Sequence, residues 1–471
     1  MSGPQTHYQF QSAVGWINDP NGLVALNGQY HLFFQHNPGG KTWGPMHWGH
    51  ATSPDLVTWT ELPVALAPTP LGDAFSGSIV ADYGNHFGLN RSGKVALVAF
   101  FTRHDVAAKA SGRSNYETQA AAYSLDSGVS WTEYENNPIL PNPGATPDFR
   151  DPHVFRAEND DCWIMLLAAG DRIQIYRGTS LENWTIASEF SIPGCATGEV
   201  YECPELFQVP VSGSPDAKWV LVVSFNPGGL YGGSGTRYLV GDFDGYRFSA
   251  DPEFLEFCTT AGPQWLDWGP DHYATAVWAN LPGHHDRPVG ISWMNNWAYA
   301  NETLERPFRG RMTLPRSYGL AAQGKTLVVI SRPAVDVPGY SVSPRNHDDP
   351  AGGSAGMYRL DAYCAVEDAT GSKLSLEGPG GALVSIEFDP HSHVWIVDRN
   401  RCGPAISTDL HDSQFVFPRI STNPVMKASV YVARSGIEVF LDDGVQAATF
   451  LLRSGMLHCE VRSQGWQIRH E

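Results

Sequence analysis

Four times along the chain a polar turn is followed by an aromatic that opens a β-prone run. The copies are Ser53-Pro-Asp-Leu-Val-Thr-Trp59-Thr, Ser124-Leu-Asp-Ser-Gly-Val-Ser-Trp131-Thr, Ser180-Leu-Glu-Asn-Trp184-Thr and the degenerate Asp244-Gly-Tyr-Arg-Phe248. Between them lie short apolar runs of strand length: Tyr30–Phe34, Val95–Phe101, Cys162–Ala168, Trp219–Phe225, Tyr238–Phe243 and Val289–Trp293. Each is bounded by Gly, Pro, Asn or Asp, as strands are, and none carries a sustained helical period. The 48 Gly and 34 Pro fit a chain rich in turns. An irregular repeat holding several strands per copy predicts an all-β fold built of propeller blades with loops of variable length, in preference to one long β-sandwich.

After Pro315 the texture changes. Residues 338–356 are crowded with Pro, Gly, Ser and Asp, and beyond them Val384–Phe388, Val394–Val397 and Ala428–Val432 alternate as antiparallel strands do. An Asp-Gly turn, Asp443-Gly444, between two strand-like runs predicts a hairpin. With 471 residues exceeding one ordinary core, the organisation predicted is a propeller over 1–335, a linker or long loop over 336–356 and a β-sandwich over 357–471.

Three acidic residues stand beside prolines among these strands: Asp19 in Trp16-Ile-Asn18-Asp19-Pro20-Asn-Gly22, Asp151 in Phe149-Arg150-Asp151-Pro152, and Glu202 in Tyr201-Glu202-Cys203-Pro204-Glu205. Pro20 locks φ and Gly22 permits positive φ, which places Asp19 at the mouth of a rigid turn, with Trp16 available to stack on a sugar ring. Each motif alone reads more readily as a strand-end turn than as a catalyst. Placed on successive blades, however, all three would converge on the axis, and cleavage of a glycosidic bond needs a nucleophile or base and a proton donor, usually both carboxyl groups. Burial and neighbouring carboxylates would keep the donor protonated, whereas Arg150 is expected to hold Asp151 ionised.

The chain resembles glycoside hydrolase family 32, the invertase, inulinase and levanase group. The matching pieces come in that family's order: Trp16-Ile-Asn-Asp-Pro-Asn-Gly, Phe34-Gln35-His-Asn-Pro, Trp43-Gly-Pro-Met-His-Trp48-Gly-His-Ala, Phe75-Ser76-Gly-Ser, Phe149-Arg-Asp-Pro, Tyr201-Glu-Cys-Pro, Trp265-Leu-Asp-Trp268-Gly and Trp293-Met-Asn-Asn-Trp297. The resemblance implies five blades followed by a sandwich, and a retaining, exo-acting β-fructofuranosidase that takes terminal fructose from sucrose, inulin or levan. By resemblance Asp19 is the nucleophile, Glu202 the general acid/base and Asp151 the transition-state stabiliser. Asn18, Gln35, Trp43, Phe75, Ser76, Arg150 and Trp293 match positions that bind the terminal fructose. Glu205 is expected to support the site from behind, and Cys203 to be a buried small residue. A fructosyltransferase shares the same carboxylates and is the alternative; a non-catalytic fructan-binding protein would require one of them to be missing.

The family implies no cofactor. No metal signature is present, since the histidines, His284 and His285 included, lack ligand spacing. The net charge of −18 argues against nucleic acid and against anionic membrane surfaces, and no apolar run spans a bilayer. The partner expected is a fructose-containing carbohydrate, and no motif assigns an oligomeric state. No leader precedes Trp16, so the protein is expected to be cytoplasmic, or extracellular where a leader lies outside this sequence. Seven scattered cysteines without a Cys-x-x-Cys pair indicate no disulfide framework, and Asn90, Asn183 and Asn301 head glycosylation triplets.

Overall fold

A computed structural model describes residues 5–90, 93–144, 146–157, 161–194, 198–281, 287–303, 307–339, 357–378, 381–399, 414–433, 436–452 and 460–469. Residues 340–356 of the expected linker, the pair His284-His285, and Cys195, Cys402 and Cys459 lie outside them.

Up to Pro333 the described strands form five sheets, one six-stranded and four four-stranded, antiparallel except for one pairing. The inner strands of these sheets are Gly15–Leu26, Asp73–Asp82, Phe149–Arg156, Tyr201–Pro210 and Tyr273–Val277. Each packs against the next, and Tyr273–Val277 packs back against Gly15–Leu26, so the five close into a ring around one axis. This is a β-propeller. The ring is tied by Phe308–Arg309, which pairs in parallel with Gly15 and Trp16 of the first blade.

The repeats mark the entry to each blade's outer strand. Trp59, Trp131, Trp184 and Phe248 stand within one residue of the starts of Thr58–Leu66, Thr132–Glu133, Trp184–Phe190 and Phe248–Ala250. The turn acid caps the loop: Asp55 Oδ1 accepts from the N–H groups of Val57 and Thr58 at 2.9 and 2.6 Å, and Asp244 Oδ1 from Tyr246 and Arg247 at 2.8 and 2.7 Å. Polar side chains that satisfy the turn's own donors make the turn independent of sequence elsewhere. Beside the five-residue helix Val106–Ala110, a longer helix, Pro252–Ala261, appears where no helical period was expected. Proline in its first turn preorganises it, Gly262 ends it, and Phe254 alone is fully buried, so there is no apolar stripe to read.

Beyond Met357 two five-stranded antiparallel sheets face each other. Their shared core includes Trp395, Phe415, Phe417, Phe450 and Trp466, and it takes in Trp265 and Trp268 from the propeller. The Asp-Gly hairpin joins Gly436–Leu441 to Gln446–Leu451, with Asp442, Asp443 and Gly444 all at positive φ. A buried polar seam joins the two parts. Arg316 Nη1 donates to Asp267 at 2.8 Å, and Nη2 to Glu438 and Thr449 at 2.6 and 2.7 Å. The nearby Arg399 donates to Asp271 at 2.7 Å.

Candidate active site

The register of the five inner strands builds the site. In each, pairing with the second strand slips by one residue at the same level: between Ile17 and Pro20, Ala74 and Gly77, Arg150 and His153, Glu202 and Glu205, and Tyr273 and Ala276. A bulge bends the strand and re-aims the side chains around it. The bulge residues Asp151, Cys203 and Ala274 take left-handed φ of 63°, 47° and 53°. Proline follows both Asp151 and Cys203, and its missing N–H costs nothing where the ladder is already broken. Asp19 therefore lies inside a continuous bulged strand, not at the mouth of a turn as expected. Gly22 does take positive φ, 52°, and a Cβ there would meet Ile79 at 2.7 Å.

Equivalent positions on neighbouring blades touch around the ring. Arg150, Glu202 and Tyr273 each precede their bulge. Arg150 Nε stands 3.4 Å from Glu202 Oε1, and the Tyr273 hydroxyl donates to Glu202 Oε2. Ser76 Oγ donates to Asp19 Oδ2 at 2.8 Å. The backbone N–H of Cys203 donates to Asp151 Oδ2 at 2.9 Å, and its Sγ lies 3.6 Å from both Asp19 Oδ2 and Asp151 Oδ2. Three carboxyl groups thus meet near the axis, and the Cys203 thiol bridges two of them, Asp19 and Asp151.

Electrostatics separate these acids. Burial pushes the Glu202 carboxyl up to about 8; Arg150 opposes this, while the charges of Asp151 and Asp19 add to it. Asp151 is pushed up to about 7, again by burial first. The expectation that Arg150 holds Asp151 ionised is not met. The guanidinium spends its donors on Glu117 at 2.7 Å and Asp148 at 2.6 Å, and burial outweighs what remains of its field at Asp151. Burial raises Asp19 too, and hydrogen bonds from Ser76, Asn18 and Cys203 counter it. The Cys203 thiol is driven well above its usual range by burial and by the carboxylates, so it stays neutral, as a non-nucleophile should.

The other expected residues divide into those at the pocket and those behind it. Trp43 is 42% exposed and stands edge-on to Phe75, which stacks on His104. Asn18 and Gln35 are buried: Asn18 Oδ1 accepts from Trp16 Nε1 at 2.8 Å, and Gln35 Nε2 donates to the Ala74 carbonyl at 3.0 Å. Trp293 is fully buried against Trp16, Tyr273 and Trp297. Trp16 is equally buried, so it forms part of the floor and is not a free stacking face. Glu205 Oε2 lies 3.2 Å from His153 Nδ1, beneath the bulges. Tyr273 and Glu117 were not foreseen. The only signal for Tyr273 was its place eight residues after Trp265; Glu117 had none. Among the described residues no group of acidic, His and Cys side chains is arranged to hold a metal.

The sequence profile of the glycosyl hydrolases family 32 N-terminal domain matches residues 9–331. The chain belongs to this family. A levanase of Bacillus subtilis (strain 168) is 38% identical over 463 residues, covering 94% of this chain and 66% of the levanase, so the chain spans just under two thirds of that relative. An extracellular exo-inulinase of Aspergillus niger is 35% identical over 481 residues, covering 94% of this chain and 88% of its own. The crystal structure of exo-inulinase from Aspergillus awamori superposes with a TM-score of 0.86 at 31% identity, covering 98% of this chain and 95% of its own. The family 32 chain is accordingly a glycoside hydrolase, and its architecture is that of a family 32 propeller and sandwich.

Proposed function

We propose that this family 32 enzyme removes terminal, non-reducing β-fructofuranosyl units from sucrose or fructans with retention of configuration. Glu202 carries the reading: a carboxyl pushed up to about 8 is a proton donor still loaded at neutral pH, beside two other carboxyls. Asp19 attacks the anomeric carbon of the fructosyl unit while Glu202 gives its proton to the departing glycosidic oxygen. The products of this step are a fructosyl ester on Asp19 and the leaving alcohol. Glu202, now a carboxylate, takes a proton from water. The hydroxide adds to the anomeric carbon and the bond to Asp19 breaks. Two inversions restore the β configuration. Asp151 faces the flat, cationic transition state as a further anion or hydrogen-bond acceptor.

A ring axis ending in a buried floor of Trp16 and Trp293, with Trp43 and Phe75 at the rim, suits a chain end and not an internal unit. Early digests of sucrose, inulin and levan, run separately, should release fructose with little change in polymer length, and NMR before mutarotation should find the β anomer first. Mid-sized oligosaccharides at early times would rule out exo action. The α anomer as first product would rule out Asp19 as nucleophile.

The pH dependence follows from the same groups. Glu202 must be protonated to act as acid, so kcat/KM should fall as pH rises through about 8. Asp19 must be ionised to attack, so the acidic limb should lie above the ordinary 3.8 of an aspartate, because burial raises it. The three carboxyls titrate as a coupled set, and the limbs belong to the set. A rate still climbing above about pH 9 would remove Glu202 from the donor role.

A further inference from the structure

Among the described residues Arg150 is the one cation shown at Glu202, and where its charge goes decides how readily Glu202 ionises. Its Nη1 donates to Glu117 Oε1 at 2.7 Å, its Nη2 to Asp148 Oδ1 at 2.6 Å, and only Nε is turned to Glu202, at 3.4 Å. Glu117 comes from a different blade, on the strand Glu117–Ser124, and is fully buried. It is held from three sides: Arg150, the Phe149 N–H at 2.8 Å on Oε2, and His104 Nδ1 at 3.0 Å on Oε1. Burial alone would protonate it, but Arg150, His104 and the Phe149 N–H hold it below its usual value, so it is an anion. The groups acting on Glu202 are Arg150, Asp151, Asp19 and Glu117 through their charges and Tyr273 through its hydroxyl, with neutral Cys203 alongside.

From this geometry we infer that Glu117 is a positioning residue for the general acid: it draws the Arg150 guanidinium and its field away from Glu202, so that Glu202 keeps its proton at the pH of turnover. The inference rests on the reading of Glu202 as acid/base. Glu117 does not meet the substrate itself. It acts through Arg150. On its other side His104 stacks on Phe75 with ring centres 4.2 Å apart, and Phe75 meets Trp43, so one line of contacts runs from the pocket rim to the acid.

The test is the alkaline limb of kcat/KM in Glu117→Gln. Glutamine keeps the size and an acceptor for Arg150 but removes the charge. Glu202 then ionises more easily, and the limb should move to lower pH by about one unit. Glu117→Asp keeps the charge and should leave the limb at its wild-type position even if kcat falls. A merely structural Glu117 would lower kcat in both variants with the limb unmoved, and that result overturns the inference. Should Glu117→Gln fail to fold, Asp148→Asn decides. Asp148 holds the other side of the same guanidinium and its side chain is 27% exposed, so the shift should be smaller and in the same direction; no shift counts against the inference. Glu202→Gln separates the two levels. Wild-type activity there would fell the assignment of Glu202 itself, whereas a dead Glu202→Gln with an unmoved limb in Glu117→Gln fells only the coupling.

Discussion

Asp19→Ala should cost about 10⁴-fold or more in kcat/KM, because the first bond-forming step loses its nucleophile. Glu202→Ala should cost about 10²–10⁴-fold through loss of proton transfer. Neither should harm the fold. Asp19 is buried, burial raises its carboxyl, and its Oδ1 has no hydrogen-bond partner. A buried carboxylate in that state weakens the native structure, so the thermal midpoint of Asp19→Ala should hold or rise while activity collapses. The paired measurement is a thermal melt and a fructose-release assay on the same preparation. A folded Asp19→Ala protein with near wild-type turnover would end the mechanism proposed here. A large drop in its midpoint would show that Asp19 is part of the scaffold.

Arg316→Ala should be the most damaging substitution for stability. Arg316 is 1% exposed between Asp267 and Glu438, which are also buried. Removing one partner of a buried ion pair strands the other, at a cost of about 3–5 kcal/mol. Here one deletion strands two carboxylates, although Glu438 keeps donors from the Leu314 N–H and Gln9, and Asp267 keeps Thr449 and the Gly269 N–H. Against a total stability of about 5–15 kcal/mol the loss is a large fraction. Urea unfolding should show it as a lower midpoint, and a loss under about 1 kcal/mol would mean the seam is not cooperative. Arg316→Met, which fills the volume without the charge, should recover little, because the stranded anions are the source of the loss.

Much of this was legible in the chain. The turn acids Asp55, Asp126 and Asp244 sit where local hydrogen bonding alone specifies a turn, so the blades announced themselves. The three acids announced themselves by their prolines, which mark a break in strand pairing. The number of blades came from family resemblance, since the fifth carries no copy of the repeat. What stayed hidden was whatever depends on register or on contact between blades. A one-residue slip sends every side chain to the other face. For that reason Trp16 read as a stacking surface and proved to be floor, and Glu117 and Tyr273 gave no warning of their contacts with Arg150 and Glu202. The Trp265-Leu-Asp-Trp268 motif marked the family without a role of its own. Its two tryptophans enter the sandwich core and Asp267 joins the polar seam.

The parallel pairing of Phe308–Arg309 with Gly15 and Trp16 has a consequence in time. The strand that carries Asp19 has one neighbour from the first blade and the other from some three hundred residues later in the chain. Its inner face is complete only when Tyr273–Val277 has packed beside it. On the proposed mechanism the nucleophile is thus made well before the strands that seat it, and a nascent chain shorter than the whole ring is expected to be inactive.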